Sequence, residues 1–290
     1  TMANIKDLKK KIKSTKGTLK ITKAMKLVSA SKLNKAQARI LGLRPYSTEL
    51  EDTVNTVSAL AQNYSNVYFE EKQSKQSVVL VISSDKGLCG GYNSQLAKVV
   101  RRFTAEKQDE DLKFFWIGKK VRDLIAREVN SDKTFTFAKV DPTYEEIRKI
   151  ADELGQMFLN GEVGKVYVAY NSFVSAIAFD SKVRQILPMQ VESSTKEEIK
   201  EKYPYDFKYE PTAEQILDTL VPEVYLTTVY TCMLDAIASE HGSRMNAMEN
   251  ASKNSSEMIK KLTLKMNKLR QARITTELIE VVSGAESLNG

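Results

Sequence analysis

A segment that could hold a phosphate group lies at residues 86–91, which read Lys-Gly-Leu-Cys-Gly-Gly. It follows a run of β-branched residues and precedes a helical pattern, which is where phosphate-binding turns occur. However, Gly87, Gly90 and Gly91 do not fit the spacing Gly-x-Gly-x-x-Gly, and the chain has no Gly-Lys-Ser/Thr. A structural turn is therefore the favoured interpretation, with a phosphate site as the weaker alternative.

Other residue types that support catalysis or bind metals do not form a recognisable set. His241 is the only histidine, so the chain cannot supply a histidine-based triad or a multi-histidine metal site. Cys89 and Cys232 lie far apart without a pair motif, which is typical of reduced thiols. Carboxylates follow helical charge pairing, as in Glu257 and Lys261. We expect no catalytic residues, no metal and no cofactor.

The middle of the chain alternates between strand and helix patterns. Strands are expected at residues 77–83, 112–117, 135–140, 163–170 and 177–187, and helices at 93–106, 119–129 and 144–159. Alternation of this kind predicts an open, Rossmann-like, mostly parallel α/β sheet over residues 77–190, with the last strand antiparallel at an edge.

Long helical patterns flank this domain. The first, over residues 3–44, carries apolar residues in three groups with steps mostly of three or four positions, namely Ile5, Leu8, Ile12 and Leu19, then Ile21, Met25 and Val28, then Leu33, Ala36 and Ile40. Pro45 is expected to bend or restart this helix, which continues over 48–63. The segment 223–283 has no proline and one glycine, and an unbroken helix of that length would span roughly 90 Å. Thr212 is a candidate cap, and Pro222 marks a kink or a join.

The two terminal segments, residues 1–63 and 210–290, are predicted to pair as one discontinuous domain. The apolar stripe of the C-terminal segment has a mean spacing near 3.5, which predicts a left-handed, antiparallel coiled coil. Because the C-terminal helix is longer, roughly 15 residues would extend past its partner. This end is apolar at Ile274, Leu278, Ile279 and Val282 and requires cover from another molecule.

Two features suggest surfaces that meet other molecules. Residues 1–44 hold thirteen Lys or Arg and one acid, Asp7, which predicts contact with acidic protein loops, nucleic acid or lipid headgroups. Nucleic acid is disfavoured because aromatic side chains for base stacking are missing there. Residues 239–257 are mostly small and polar, which fits either a solvated stretch or a surface read by another protein. No apolar run is long enough for a membrane span, and the apolar pattern continues past residue 40, unlike a transit peptide.

Five segments resemble the gamma subunit family of rotary, F-type ATP synthases. Residues 274–287 (ITTELIEVVSGAES) match the C-terminal signature of that family at every defined position. Similar matches occur at 21–25 (ITKAM), 84–93 (SDKGLCGGYN), 170–177 (YNSFVSAI) and 239–254 (SEHGSRMNAMENASKN). The matches follow the expected order and span nearly the whole chain.

This resemblance implies a central rotor shaft inside a ring of three alpha and three beta subunits. Ion flow would turn a c-ring fixed to the foot of the shaft, and the shaft would drive the catalytic sites of the ring through different states. Nucleotides and catalytic residues would then belong to the ring. A peripheral position at the cytoplasmic face of a bacterial plasma membrane is implied as well. Because Cys89 stands without a second cysteine nearby, thiol control of the plant chloroplast kind is not expected.

The resemblance also implies partner-binding residues. The C-terminal tip would lie in an apolar bearing of the ring, through Ile274, Glu277, Leu278, Ile279, Glu280 and Val282. The basic helix would face acidic loops of beta through Lys20, Lys23, Met25 and Lys26. The polar midsection would bind ring loops through Arg244, Asn250 and Asn254. Tyr209 and Glu210 would contact the epsilon subunit and the c-ring. The alternative function is a coiled-coil adaptor with a nucleotide-binding α/β domain.

Overall fold

The computed structural model describes residues 5–61, 64–137, 141–190, 199, 201 and 208–289, with side chains described as far as residue 285. The chain divides into two compact units, one of Thr1–Ser29 with Arg244–Gly290 and the other of Ala30–Ser243. Two long helices, α1 (Ile5–Leu60) and α5 (Ala213–Asn289), each contribute to both units. The proposed domains 1–63, 77–190 and 210–290 instead keep whole helices together, and those boundaries stay a prediction.

The unit Ala30–Ser243 is built on a mostly parallel sheet. Its strands are β1 (Gln76–Ile82), β2 (Asp111–Ile117), β3 (Asn130–Phe135), β4 (Lys165–Ser175) and β5 (Ala178–Leu187). Among the described residues the order is β3-β2-β1-β4-β5, with β5 antiparallel to β4 and the other pairs parallel. The predicted open sheet with an antiparallel edge strand is confirmed.

Helices cover both faces of this sheet. Val78, Leu80 and Ile82 of β1 join a core with α4 (Tyr144–Leu159) and the part of α5 around residues 225–236. Val79 and Val81 point to the opposite core, formed with α2 (Tyr92–Glu106) and α3 (Lys120–Ile125). A central strand buried on both faces explains why the β1 sequence is continuously apolar rather than alternating.

Three elements of this unit differ from their predicted positions, and one of them is β4, which spans Lys165–Ser175 instead of 163–170. Strand β3 spans Asn130–Phe135 instead of 135–140, of which 138–140 lie outside the described residues. Its first four residues are exposed, so the sequence needs no apolar residues there and shows no strand pattern. The strand is defined by its backbone pairing with β2. Helix α3 ends at Ile125 rather than near 129, because the chain turns where the Glu128 amide bonds to the Ile125 carbonyl at 2.9 Å.

Neither proline ends its helix. Pro45 lies inside α1 and Pro222 inside α5, so the restart and the join do not occur, and the alternatives of a bend at Pro45 and a kink at Pro222 stay predictions. Packing offsets the backbone hydrogen bond that each proline removes. Helices α1 and α5 share an apolar cluster that follows Pro45 on α1 and lies on both sides of Pro222 on α5, formed by Leu50, Val54, Val57, Leu217, Val221 and Val224. The predicted cap of α5 is confirmed, since the Gln215 amide donates to Thr212 Oγ1 at 3.3 Å.

A search of the described helices finds none with the length and apolar character needed to cross a membrane.

Candidate functional site

Within the unit Thr1–Ser29 with Arg244–Gly290, α1 and α5 lie antiparallel. The Ser252 hydroxyl donates to Thr22 Oγ1 at 2.8 Å. On either side, Lys26 pairs with Glu249, and the Thr15 hydroxyl lies 3.9 Å from Met258 Sδ. As the residue numbers along α1 increase from 15 to 26, the numbers of their partners on α5 decrease from 258 to 249. The antiparallel pairing is confirmed for this unit, while the left-handed supercoil stays a prediction.

The seam between the two helices in this unit contains buried hydroxyl residues as well as the buried apolar residues Leu8 and Met248. Its buried residues include Thr22, Ser29, Ser252 and Ser255. Ile21 and Val28 were expected in the apolar stripe, but they are 62 % and 58 % exposed, so this prediction is wrong. The reason is one of register: positions 22 and 29 lie one heptad apart, as do 21 and 28, and the small hydroxyl residues occupy the seam.

The basic surface of α1 contains the four residues named from the sequence. Lys20 and Lys23 are exposed and Met25 is half-buried. Lys26 is paired with Glu249, and its hydrogen bond lowers the pKa of that carboxyl. The exposed apolar residues Ile21, Leu27 and Val28 lie among these cations and were not singled out as a contact surface. The alternation of these apolar residues with lysines along the sequence is the feature that indicates a contact surface.

The polar midsection of α5 is divided between inside and outside. Arg244 is 8 % exposed and therefore buried, whereas Asn250 and Asn254 are exposed. Ser252 and Ser255 lie in the seam. Of the three midsection residues proposed to bind a partner, only the two asparagines present their side chains to solvent in this structure.

The C-terminal end of α5 extends past its described partner. Residues paired across the two helices have numbers that add to about 274, so Ile5 lies near residue 269. Every residue described from 270 to 285 is exposed, and the large apolar ones are Ile274, Leu278, Ile279, Val281 and Val282. Glu277 pairs with Arg273 at 2.7 Å one turn earlier, and Glu280 is exposed. The predicted apolar overhang is confirmed for the described residues.

In the unit Ala30–Ser243, Tyr209 and Glu210 lie just before α5. Tyr209 packs against the apolar cluster shared by α1 and α5, and burial raises the pKa of its hydroxyl. Glu210 is exposed and pairs with Lys208 at 2.7 Å. The two predicted contact residues therefore differ, because only Glu210 presents its side chain openly to solvent.

The turn at residues 85–91 lies at the carboxyl end of β1. Asn93 Nδ2 donates to Ser84 Oγ at 2.8 Å, and that hydroxyl donates to the Lys86 carbonyl at 2.8 Å. Leu88 and Gly90 adopt left-handed backbone angles, with φ of 61° and 57°. The polar side chains flanking the turn thus bond to each other and to its backbone. This geometry favours the structural interpretation over a phosphate site.

Titratable clusters for metal binding are not found in the described part of the chain, where no three His, Cys, Asp or Glu residues converge. His241 is buried on α5, with Nε2 3.8 Å from the Asp141 carboxylate. This histidine therefore lies inside the packed structure.

Comparison with known proteins gives one consistent family. The family model described as ATP synthase matches residues 4–288. The ATP synthase gamma chain of Anaeromyxobacter sp. (strain Fw109-5) is 42 % identical over 293 residues, covering 99 % of this chain and 100 % of that one. The gamma chain of Geotalea uraniireducens (strain Rf4) is 39 % identical over 291 residues, with both chains fully covered.

A solved structure agrees with these sequence relatives. The central stalk and c-ring structure of the Tetrahymena thermophila mitochondrial ATP synthase contains a chain that is 25 % identical, with a TM-score of 0.59. The match covers 80 % of this chain and 99 % of that one. From the full-length sequence matches and the shared fold, we conclude that the chain belongs to the ATP synthase gamma chain family.

Proposed function

We infer that this chain is the central-stalk rotor subunit of an F-type ATP synthase. In this role it couples ion-driven rotation of a c-ring to conformational cycling of a ring of alpha and beta subunits, in ATP synthesis and in reversible hydrolysis. The observation that carries this inference is the apolar end of α5, exposed from 270 to 285 beyond its antiparallel partner. Apolar surface of this kind marks a site for another molecule, and a ring bearing would enclose it.

The contact residues follow from this role. The tip would enter the bearing through Ile274, Glu277, Leu278, Ile279, Glu280 and Val282. Lys20, Lys23, Met25 and Lys26 would face acidic loops of beta, with Ile21, Leu27 and Val28 adding apolar contacts. Asn250 and Asn254 would bind ring loops directly. Arg244 is buried and would therefore contribute less directly to binding the ring loops. Tyr209 and Glu210 would lie near the epsilon subunit and the c-ring.

We propose that the chain has no catalytic residues of its own and that nucleotide chemistry belongs to the ring. His241, the one histidine, is buried, and the side chains flanking the glycine-rich turn are bonded within the fold. The alternative adaptor with a nucleotide-binding domain would need an accessible crevice at that turn, which this bonding does not favour. We further propose a peripheral position at the cytoplasmic face of a bacterial plasma membrane, because the relatives named above are bacterial.

Co-purification tests the assignment. The chain is co-expressed with alpha and beta subunits, and the stoichiometry of the purified complex is measured by native mass spectrometry. We expect one copy for three alpha–beta pairs, and weaker assembly for a variant with Leu278→Asp and Val282→Asp. Thr275→Ala is the matched control, since that hydroxyl bonds within its own helix. A chain that ignores the hexamer and binds ATP tightly in equilibrium dialysis would instead be the adaptor.

A further inference from the structure

Helix α5 occupies the place where an open α/β sheet normally receives a ligand. In such sheets ligands bind beyond the carboxyl ends of the strands, at the point where the strand order reverses. With the order β3-β2-β1-β4-β5, the chain moves outward from β1 in both directions, so that point lies between β1 and β4. Here the turn after β1, and Asn171 of β4 just beyond the last residue that pairs with β1, contact the segment 236–243 of α5 instead.

Three hydrogen bonds hold this segment. Tyr92 at the start of α2 donates its hydroxyl to the Ala236 carbonyl at 3.1 Å. The Ser239 hydroxyl donates to the Asn171 carbonyl of β4 at 3.0 Å, and the Ser243 hydroxyl donates to the Cys89 carbonyl in the glycine-rich turn at 2.6 Å. We call the set of Tyr92, Asn171 and Cys89 around residues 236–243 the socket.

The bonds to the socket come from one face of α5. Positions 236, 239 and 243 are separated by three and then four residues, which places them on a single stripe of the helix. Asn171 is itself fixed, since its amide donates to the Tyr92 carbonyl at 3.2 Å and its side-chain oxygen accepts from Ser181 at 2.5 Å. The contacts are buried, with Tyr92, Asn171 and Ser239 at most 2 % exposed.

Gly242 completes the close approach. A Cβ atom built on Gly242 would lie 2.9 Å from the Ala176 carbonyl oxygen in the turn between β4 and β5. Any larger residue would therefore push the helix away from the sheet. Absence of a side chain at this position lets the helix backbone sit directly on that turn.

We propose that the socket is a torque-transmitting joint, in which Tyr92, Ser239 and Ser243 are positioning residues that fix α5 to the α/β sheet in one angular and axial register. This proposal rests on the rotor function inferred above. Apolar packing is non-directional and by itself resists rotation or sliding of a helix weakly. Hydrogen bonds have narrow angular preferences, so three of them along two helical turns oppose both movements.

The strength of the joint is measured first by amide hydrogen exchange in the complete ATP synthase. Removing one α5 hydroxyl that donates to the socket, by Ser239→Ala or Ser243→Ala, should raise local opening of residues 236–243 roughly fivefold, which is the effect of losing one net hydrogen bond. Thr231→Val is the matched control, because that hydroxyl bonds only to the Thr227 carbonyl of its own helix. Unchanged exchange in both serine variants would overturn the proposal.

The second measurement separates torque transmission from folding. A gold rod is attached to the c-ring of surface-anchored complexes, and its angular fluctuations are recorded while the catalytic ring is stalled. The Ser239→Ala/Ser243→Ala double variant should show broader fluctuations and less proton pumping per ATP hydrolysed, while its hydrolysis rate and thermal midpoint stay near those of the control. Ser243→Thr, which keeps the hydroxyl, should show narrower angular fluctuations than Ser243→Ala.

The outcomes distinguish the two proposals. If the unmodified chain assembles and pumps but the double variant is as stiff and as well coupled as the control, the joint is wrong and the rotor function stands. If the unmodified chain fails to enter the complex at all, the rotor function itself is wrong, and the joint with it.

Discussion

Lys165 Nζ lies 2.8 Å from Glu110 Oε1, at the amino ends of the parallel strands. Glu110 directly precedes β2, and its side chain is only 8 % exposed. It also accepts hydrogen bonds from Ser77 of β1 at 2.8 Å and from the Tyr167 hydroxyl of β4 at 3.1 Å. One carboxylate thus joins three neighbouring strands at the sheet end opposite the glycine-rich turn.

Glu110→Gln should therefore destabilise the unit Ala30–Ser243 by about 2 kcal/mol at neutral pH, as expected for losing charged hydrogen bonds. Burial by itself would raise the pKa of Glu110, but its bonds from Lys165, Ser77 and Tyr167 outweigh burial and lower it below 4.5. A lowered pKa gives stability that is present above pH 4.5 and is lost as the pH falls through the folded value. The difference in the free energy of unfolding between the unmodified chain and Glu110→Gln, measured with urea, should therefore shrink as the pH falls below 4.5.

Glu128→Gln is the control for this experiment. Its carboxylate pairs with Arg101 at 2.6 Å, but on the exposed surface. Exposed pairs contribute little, so this variant should unfold close to the unmodified chain. Equal losses in the two variants would contradict the strand-joining role of Glu110.

Cys232 should be unreactive, and its contribution to the stability of the fold should be lost over a defined alkaline range. Complete burial raises the pKa of its thiol from 9.0 to about 11. A raised pKa contributes stability that is full below pH 9 and is lost as the pH rises to about 11. The stability difference between the unmodified chain and Cys232→Ala should fall across this range, and a thiol reagent at pH 8 should label Cys232 only after urea is added. Rapid labelling of the folded chain would refute this.

The hydroxyl pair Thr22 and Ser252 should couple in a double-mutant cycle. Thr22→Val leaves the buried Ser252 hydroxyl without this partner and should cost about 1–3 kcal/mol. Ser252→Ala should cost less, because the Thr22 hydroxyl still donates to the Leu19 carbonyl at 3.2 Å. The double variant removes both polar groups and should cost less than the sum of the two single changes. Thermal unfolding of the four proteins measures this coupling, and strict additivity would show that the hydroxyls do not interact.

Met25→Lys should impair coupling more than folding. It adds a positive charge at a half-buried position beside Lys26, on the surface proposed to face acidic loops of beta. ATP-driven proton pumping in proteoliposomes should fall further than ATP hydrolysis, with little change in the thermal midpoint, and Met25→Leu should behave like the unmodified chain. A parallel loss of hydrolysis, pumping and thermal stability would indicate misfolding instead.

Removing residues 279–290 should weaken assembly while the unit Ala30–Ser243 stays folded. The described side chains in this segment are exposed and therefore add nothing to a core within the chain. The measurement is subunit stoichiometry after size-exclusion chromatography, paired with a thermal melt of the isolated chain. Loss of the cooperative melt would show that the α5 end supports the fold after all.

The sequence by itself determined those features that depend on local pattern. Continuous apolar strands such as 77–83, the capping residue Thr212 and the unpaired apolar end of α5 all follow from residue type and spacing. The family motifs are local as well, since each can be read within about sixteen consecutive residues.

Tertiary structure decided the features in which distant residues compete for one place. Whether Ile21 or Thr22 faces the seam depended on the hydroxyl of Ser252, which no local pattern on α1 reveals. The polar strand β3 formed because β2 offered backbone partners, and Pro45 stayed inside α1 because α5 packs against the turns that follow it. The socket likewise exists only because α5 fills the crevice between β1 and β4. In each case the free energy comes from contacts between segments far apart along the chain, and local spacing does not encode them.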